Sequence, residues 1–424
     1  MNARKQIYFL GALTLFITAV FSQGYYHFDE HFQILEFAAI KLNMNTADNM
    51  PWEYFYKMRP ALQPAIVYVL YKLISLFTLP NPFYLAAFLR LLSAAISFVV
   101  IIYFIRTFQD EIRSEKLKKY FLLLSFFLWF AVYNEVRFSS ENWSGIFFLL
   151  AICFACKAEG RSRKFFFGIG LTLGIAFLFR YQTGFLIIGL FAWQLLIKRE
   201  NFFSLIILSA GILLIICAGA VIDRWFYGEW TSTIWNYFEQ NILLNKAANF
   251  GVEPWWYYGS QIFLNGIPPF SLIYVAATIL FFVYHRKHIL TFVLVPFLFI
   301  HFIIGHKELR FIFPLVYYLP FMMVMTAGFF KEKFSQFFLN KQLVAFSVSL
   351  FGVTNLVMLL VVMFRPADNQ ISLYQNLYER YPTPTTLYFD SENPYHRILD
   401  IKFYKRADLK IEKVETVENI LAKA

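Results

Sequence analysis

The sequence predicts an all-α polytopic membrane protein, and two observations carry that reading. Apolar residues fill 59% of its 424 positions and charged residues only 15%, where a soluble domain carries roughly a quarter charged residues. Apolar runs of about 18 residues or more recur from end to end, each long enough as a helix to cross a hydrocarbon core of ~30 Å. A transmembrane barrel would show weak alternation instead. The aromatic share of 21%, with 54 Phe, suits lipid-facing helices and an interfacial belt of Trp and Tyr, and by itself names no function.

About eleven spans follow in order, at residues 6–22, 83–107, 120–138, 143–156, 165–179, 183–197, 202–222, 261–284, 289–304, 311–330 and 343–364. Arg4 and Lys5 precede the first, and no small-residue cleavage site follows it, so it reads as a retained helix rather than a signal peptide. Cys153, Cys156 and Cys217 all lie within apolar runs, which argues against an external disulfide framework. The CxxC spacing of the first two has no second pair to make a metal site and reads as helix packing. Arg90 is the conspicuous charge inside a span.

Residues 61–79 decide the topology. This stretch is long enough to span, but Tyr68, Tyr71, Lys72 and Ser75 fall on one helical stripe. If it crosses, the basic patches at 113–119, 157–164, 198–199, 286–287 and 331–341 all become external. If it lies in the interface as an amphipathic helix, all of them join Arg4 and Lys5 in the cytoplasm, as the positive-inside rule asks. The same rule accounts for the net charge of +11 without nucleic acid, because the Lys and Arg residues sit in short patches between apolar runs. The flat arrangement places residues 25–60, 137–142, 180–182, 223–260, 305–310 and the tail from 365 on the external side. One face then holds nearly every polar constellation in the chain.

The first external loop opens with Tyr25-Tyr26-His27-Phe28-Asp29-Glu30-His31-Phe32-Gln33. Two carboxylates flanked by histidines suit a general base with orienting partners; they equally suit a capped helix with Asp29 as N-cap. The loop continues through Trp52, Glu53, Lys57 and Arg59, an aromatic stretch that an interfacial anchor also explains. His306-Lys307-Glu308-Leu309-Arg310-Phe311 stands at the junction of two spans. Three potential cations so near hydrocarbon point to a bound anion, with phosphate the natural candidate. Asp223, Glu229, Trp230 and Asn236, then Trp255, Trp256 and Tyr257, combine rings that stack on sugars with polar partners, though membrane anchoring explains the rings as well. Arg180 with Gln182, and Arg137 with Glu141, mark two further helix ends as ion pairs or polar caps. Asn142-Trp143-Ser144 matches a glycosylation sequon but abuts a span.

In this order the motifs resemble glycosyltransferase family 22, the mannosyltransferases of GT-C fold that use a polyprenyl- or dolichyl-phosphate mannose. The resemblance rests on His27 to Gln33, Trp52-Glu53 through Arg59, Phe226-Tyr227-Gly228-Glu229-Trp230, Pro254-Trp255-Trp256-Tyr257-Tyr258 and His306 to Phe311, and covers the chain to about Pro320. Phe28, Trp256 and Leu309 stand where the family commonly has Pro, His and Glu. The resemblance implies a catalytic role for Asp29 in the first loop and a donor phosphate near His306 and Lys307. The residues themselves suggest the rest of the expected site: Glu30 orienting Asp29 or the acceptor, Arg310, Arg59 and Arg180 as further cations, Glu308 positioning Lys307, and Trp52, Glu53, Trp255, Trp256 and Tyr257 along the substrate groove. On this reading Asp29 faces His306 and Lys307 across the site.

The expected partners are a polyprenyl-phosphate sugar donor, a glycan or glycolipid acceptor and the lipid bilayer, with the active site on the periplasmic or lumenal face. No cofactor is expected, and no metal, since His27 and His31 have too few further ligands near them. A nucleotide sugar is disfavoured by the lack of a Gly-rich phosphate loop. Residues 1–364 are expected to form the catalytic transmembrane module, with external loops 24–82 and 223–260. Residues 365–424 are expected to form a small external α/β segment, with strands at 386–390 and 401–404 and a helix at 414–423. The rival readings are a transporter or flippase of lipid-linked glycans, against which nearly uncharged span centres and the lack of repeats argue, and a transferase of whole glycans.

Overall fold

The computed structural model describes residues 3–333, 340–381 and 384–414, and nearly all of their regular structure is helical. The chain forms two compact units, each assembled from three stretches. One comprises Met1–Ser22, Arg90–Gly219 and Phe238–Arg365; the other comprises Gln23–Leu89, Ala220–Tyr237 and Pro366–Ala424. Among the described residues five helices are long and apolar enough to cross a membrane, and up to seven spans result when two bent helix pairs count as one each. Several apolar helices thus fit a polytopic membrane protein.

Three of the expected continuous spans are interrupted in the first unit, each for an identifiable reason. Residues 120–138 divide into Glu115–Phe127 and Trp129–Glu135, separated by Leu128 in extended conformation. Asn355, on helix Lys341–Phe364, holds the break: its Nδ2 donates to the Phe127 carbonyl at 2.6 Å and its Oδ1 accepts from the Trp129 amide at 3.2 Å. One side-chain amide so satisfies backbone groups that hydrocarbon would leave unpaired. Residues 261–284 divide into Tyr257–Asn265 and Phe270–Tyr284, because Pro268 and Pro269 supply no amide hydrogen to continue a helix. The last part, 311–330, begins as a 3₁₀ helix, Leu309–Tyr318, with Pro314 inside it, and becomes α-helical at Leu319–Lys333.

Small residues bring the helices of this unit together. A methyl group on Gly170 would lie 2.0 Å from the Leu208 carbonyl oxygen, and one on Gly189 would lie 2.3 Å from that of Phe292. Close backbone approach of this kind is how helices gain van der Waals contact where lipid gives no hydrophobic drive. Arg90, the charge noted within a span, donates from Nε to the Ala19 carbonyl at 2.7 Å. Asn142 is fully buried and donates to the Glu135 and Arg137 carbonyls at 3.2 and 2.6 Å, so the sequon is part of the packing.

In the second unit, helix Leu62–Ser75 has 14 residues, about 21 Å of helix, short of the ~30 Å core. The tail contributes helix Gln370–Arg380 and two parallel strands, Thr385–Phe389 and Leu409–Lys413. The first strand is the expected one; residues 401–404 form none. Their amides are engaged elsewhere: Lys402 and Phe403 donate at 2.8 and 2.9 Å to Oε1 of Glu36, and Ile401 donates to the Tyr395 carbonyl. The helix expected at 414–423 falls, beyond Val414, outside the described residues.

Glu36 is the hub of this unit. Its carboxylate also pairs with His31 Nε2 at 2.8 Å and accepts from Asn45 Nδ2 at 2.7 Å, with no exposure of the His31 and Glu36 side chains. The π-helix His31–Glu36 explains the pairing, since i→i+5 winding stacks residues five apart, whereas an α-helix stacks residues four apart. Glu36→Ala leaves several buried donors without an acceptor, so a loss of about 3–5 kcal/mol is expected. Thermal unfolding in detergent measures it, with earlier proteolysis of the tail; an unchanged midpoint would show that the tail is held by other contacts.

Candidate active site

The acidic motif begins a helical stretch from Phe28 to Lys41. His27, not Asp29, caps it, its Nδ1 accepting from the Asp29 amide at 3.2 Å. Asp29 therefore sits in the first turn, where the helix dipole favours a carboxylate, with His27 Nδ1 3.6 Å from its Oδ1. Arg59 Nη2 lies 3.8 Å from Asp29 Oδ2 and 3.3 Å from Glu53 Oε1, and that Glu53 oxygen also accepts from Gln33 Nε2 at 3.0 Å. Two carboxylates share one guanidinium. The Asp29 side chain is 23% exposed and that of Glu53 9%, so Asp29 is the carboxylate an incoming group meets. Burial pushes the Glu53 carboxyl up from its ordinary range, Arg59 opposes that shift, and the Asp29 charge adds to it.

The geometry of this cluster is set by its neighbours in the same unit. The Arg59 carbonyl accepts from the Tyr227 hydroxyl at 2.8 Å, the Lys57 carbonyl accepts from Asn236 Nδ2 at 3.2 Å, and Lys57 pairs with Glu229. Arg59 also lies over the Tyr237 ring, 5.8 Å from its centre. Asp223, buried, accepts from the Ala61 amide and the Thr233 hydroxyl, a structural role. Glu30 accepts from the Tyr26 amide at 3.2 Å and so helps form the turn. Trp52 is half-buried, edge-on to Tyr56.

A second cluster lies in the first unit, around Glu141. Ser139 caps helix Ser140–Cys156, its hydroxyl accepting from the Asn142 amide at 3.2 Å, and this puts Glu141 in the first turn with 3% of its side chain exposed. Arg180 and Arg310 both donate to Glu141 Oε1, Arg310 at 2.9 Å. Arg310 also pairs through Nε with Glu308 Oε2, while Glu308 Oε1 meets His306 Nε2 at 3.0 Å. Both arginines stack on Phe311, at 5.0 and 5.2 Å.

Lys307 is buried and gives its ammonium hydrogens to backbone carbonyls: Glu253 at 2.8 Å, Ile304, and Gly305 at 3.4 Å. Ile304 is the C-cap of helix Ile289–Ile303, where a cation offsets the helix dipole. The expectation that Glu308 positions Lys307 is corrected here: Glu308 serves His306 and Arg310, and Lys307 fastens residue 253 to the loop after that helix. Burial lowers the Lys307 pKa, and the nearby Glu253 charge opposes that. Arg180, Arg310 and His306 thus gather around the carboxylates of Glu141 and Glu308.

His306 has an acceptor at each ring nitrogen, Glu308 Oε1 at Nε2 and the Gly251 carbonyl 3.0 Å from Nδ1. Only the doubly protonated ring satisfies both, and the Glu308 hydrogen bond accordingly raises the His306 pKa above 6.5, against the pull of burial. Because the folded value is the higher one, the stabilisation is complete below pH 6.5 and fades as pH rises through the raised value. The unfolding temperature of the wild type should therefore exceed that of His306→Asn at pH 6, with the gap closing on the alkaline side. A gap independent of pH would contradict the assignment.

The structure thus joins Asp29, Glu53 and Arg59 in one cluster, and Arg180, His306, Glu308 and Arg310 in the other. Trp255 and Trp256 stand beside each other, rings edge to face at 5.7 Å and 70% and 55% exposed, and Tyr257 opens the helix that follows them. Arg137 donates to the Ser22 carbonyl at 2.8 Å and lies over Tyr133. Glu36 and Tyr258 are functional-looking groups that the sequence did not single out. Glu36 lies in an apolar stretch, and Tyr258 reads as one more aromatic.

Comparison with known proteins adds an independent line. A model of the Alg9-like mannosyltransferase family matches residues 6–406. The chain is 27% identical over 316 residues to GPI mannosyltransferase 3 of Candida albicans, covering 74% of this chain and 62% of that one. It is 24% identical to Mannosyltransferase APTG1 of Arabidopsis thaliana, covering 74% and 57%, and 25% identical to GPI alpha-1,2-mannosyltransferase 3 of Xenopus laevis, covering 72% and 56%. The chain therefore spans about 60% of the length of these relatives. No solved structure matches.

Proposed function

This chain belongs to the Alg9-like mannosyltransferase family, and from that premise we propose that it transfers mannose from a polyprenyl-phosphate donor to a hydroxyl of a glycan or glycolipid acceptor. The reaction takes place on the external face of the membrane, in a GT-C fold with about eleven transmembrane helices. The observation that carries the reading is the Asp29, Glu53 and Arg59 cluster, in which the more exposed carboxylate is held beside a buried one by a shared guanidinium.

In the proposed step the acceptor hydroxyl gives its proton to Asp29 while its oxygen attacks the anomeric carbon. The bond from that carbon to the phosphate oxygen breaks, and polyprenyl phosphate leaves with the electron pair. Charge grows on the departing phosphate, so cations fixed in advance lower that barrier selectively; Arg180, Arg310 and protonated His306 take this role, with Lys307 holding their loop. Trp52, Trp255 and Trp256 offer faces on which sugar rings stack. A leaving phosphate needs no general acid.

The name of the Xenopus relative specifies an α-1,2 bond, and we carry the α configuration to this chain's product. One displacement inverts configuration, so an α product requires a β-linked donor. Purified protein offered the α and β anomers of polyprenyl-phosphate mannose should use only the β anomer and give an α-mannoside by NMR. Transfer from the α anomer, or a β product, would contradict the mechanism.

A further inference from the structure

Among the buried polar atoms of the first unit that have no hydrogen-bond partner among the described residues, three lie close together: Nε of Arg180, Nε2 of His301 and the hydroxyl of Tyr258. Their residues are 4%, 2% and 1% exposed. They are neighbours. The Tyr258 and His301 rings are 6.5 Å apart, His301 lies 6.4 Å from Phe311, and Phe311 carries the Arg180 guanidinium at 5.0 Å. A buried polar group without a partner costs about 1–3 kcal/mol, and three linked through His301 and Phe311 form a pattern that packing does not explain.

The chemistry of the three atoms is complementary. His301 Nδ1 lies 2.7 Å from the Phe297 carbonyl, so it carries the proton and Nε2 of the neutral ring is an acceptor. Arg180 Nε–H is a donor, and the Tyr258 hydroxyl can act either way. An anion would meet the His301 lone pair, which disfavours phosphate. A hydroxyl fits: it donates to Nε2 and accepts from Nε–H. Resting on the mannosyl-transfer reading, we propose that Arg180, His301 and Tyr258 form a subsite for one carbohydrate hydroxyl, carried either by the donor hexose or by the acceptor sugar.

The test is binding by the purified full chain in detergent. One series consists of polyprenyl-phosphate mannose and its monodeoxy analogues, the other of an alkyl mannoside and its monodeoxy analogues. The wild type should lose on the order of 10–100-fold in affinity when one particular hydroxyl is removed, because the site is then left with an unpaired acceptor. A loss in the donor series assigns the hydroxyl to the donor, and a loss in the alkyl series assigns it to the acceptor. His301→Leu should abolish the discrimination, and Tyr258→Phe, which removes one oxygen, should reduce it. Equal binding of every analogue by the wild type, or unchanged discrimination in both variants, overturns the subsite. Failure of the wild type to bind either parent sugar overturns the mannosyl-transfer reading, and the subsite with it.

Discussion

Asp29→Asn is expected to lower mannosyl transfer by about 10²- to 10⁴-fold, the usual contribution of a positioned general base. The substitution keeps the size of the side chain and removes its ability to take a proton. It should leave the fold intact, since Arg59 retains Glu53 at 3.3 Å and the Asp29 contact is the longer one, at 3.8 Å. The loss should fall on kcat, with KM for the donor little changed. Steady-state kinetics with the purified variant, alongside its thermal unfolding curve, separates the two. Full activity in a folded Asp29→Asn protein would remove Asp29 from the chemistry.

Glu141→Ala is expected to carry a large stability cost, about 3–5 kcal/mol, because breaking a buried ion pair leaves its partner charge unpaired. Two guanidiniums depend on this one carboxylate, and all three side chains are nearly fully buried, at 3% exposure for Glu141 and Arg180 and 6% for Arg310. Glu141→Gln keeps an acceptor for the N–H donors and should lose less. Thermal unfolding of the two variants in detergent gives the comparison. A Glu141→Ala midpoint within a degree of the wild type would mean that other groups take over both arginines.

Much of the fold class was legible in composition, since apolar runs of this length have few solutions other than membrane helices. The interruptions were not. The break at Leu128 depends on Asn355, more than 200 positions later in the chain, and no window on the sequence joins the two. The first-loop cluster was partly legible: Asp29, Glu53 and Arg59 were each singled out, but not that Arg59 would bind both acids. Glu141 read with Arg137 as an ion pair or polar cap at a helix end; that Arg180 and Arg310, from two distant segments, bind it was not legible. Lys307 is another case: a cation beside hydrocarbon suggests an anion, and no signal in the sequence shows that its hydrogens face three carbonyls.

The strand expected at 401–404 failed for a physical reason of the same kind. Alternation there reflects the burial of Ile401 and Phe403, yet the amides of Lys402 and Phe403 bind a carboxylate rather than a neighbouring strand. Periodicity reports which side chains are buried and is silent on where backbone hydrogens go.

The central claim, transfer rather than transport, is tested most directly in proteoliposomes containing the purified protein, β-linked polyprenyl-phosphate mannose and a panel of mannose-bearing glycolipids. Mass analysis should find one acceptor heavier by a single hexose and a matching amount of free polyprenyl phosphate. Movement of the donor lipid between leaflets with no covalent product would contradict the account.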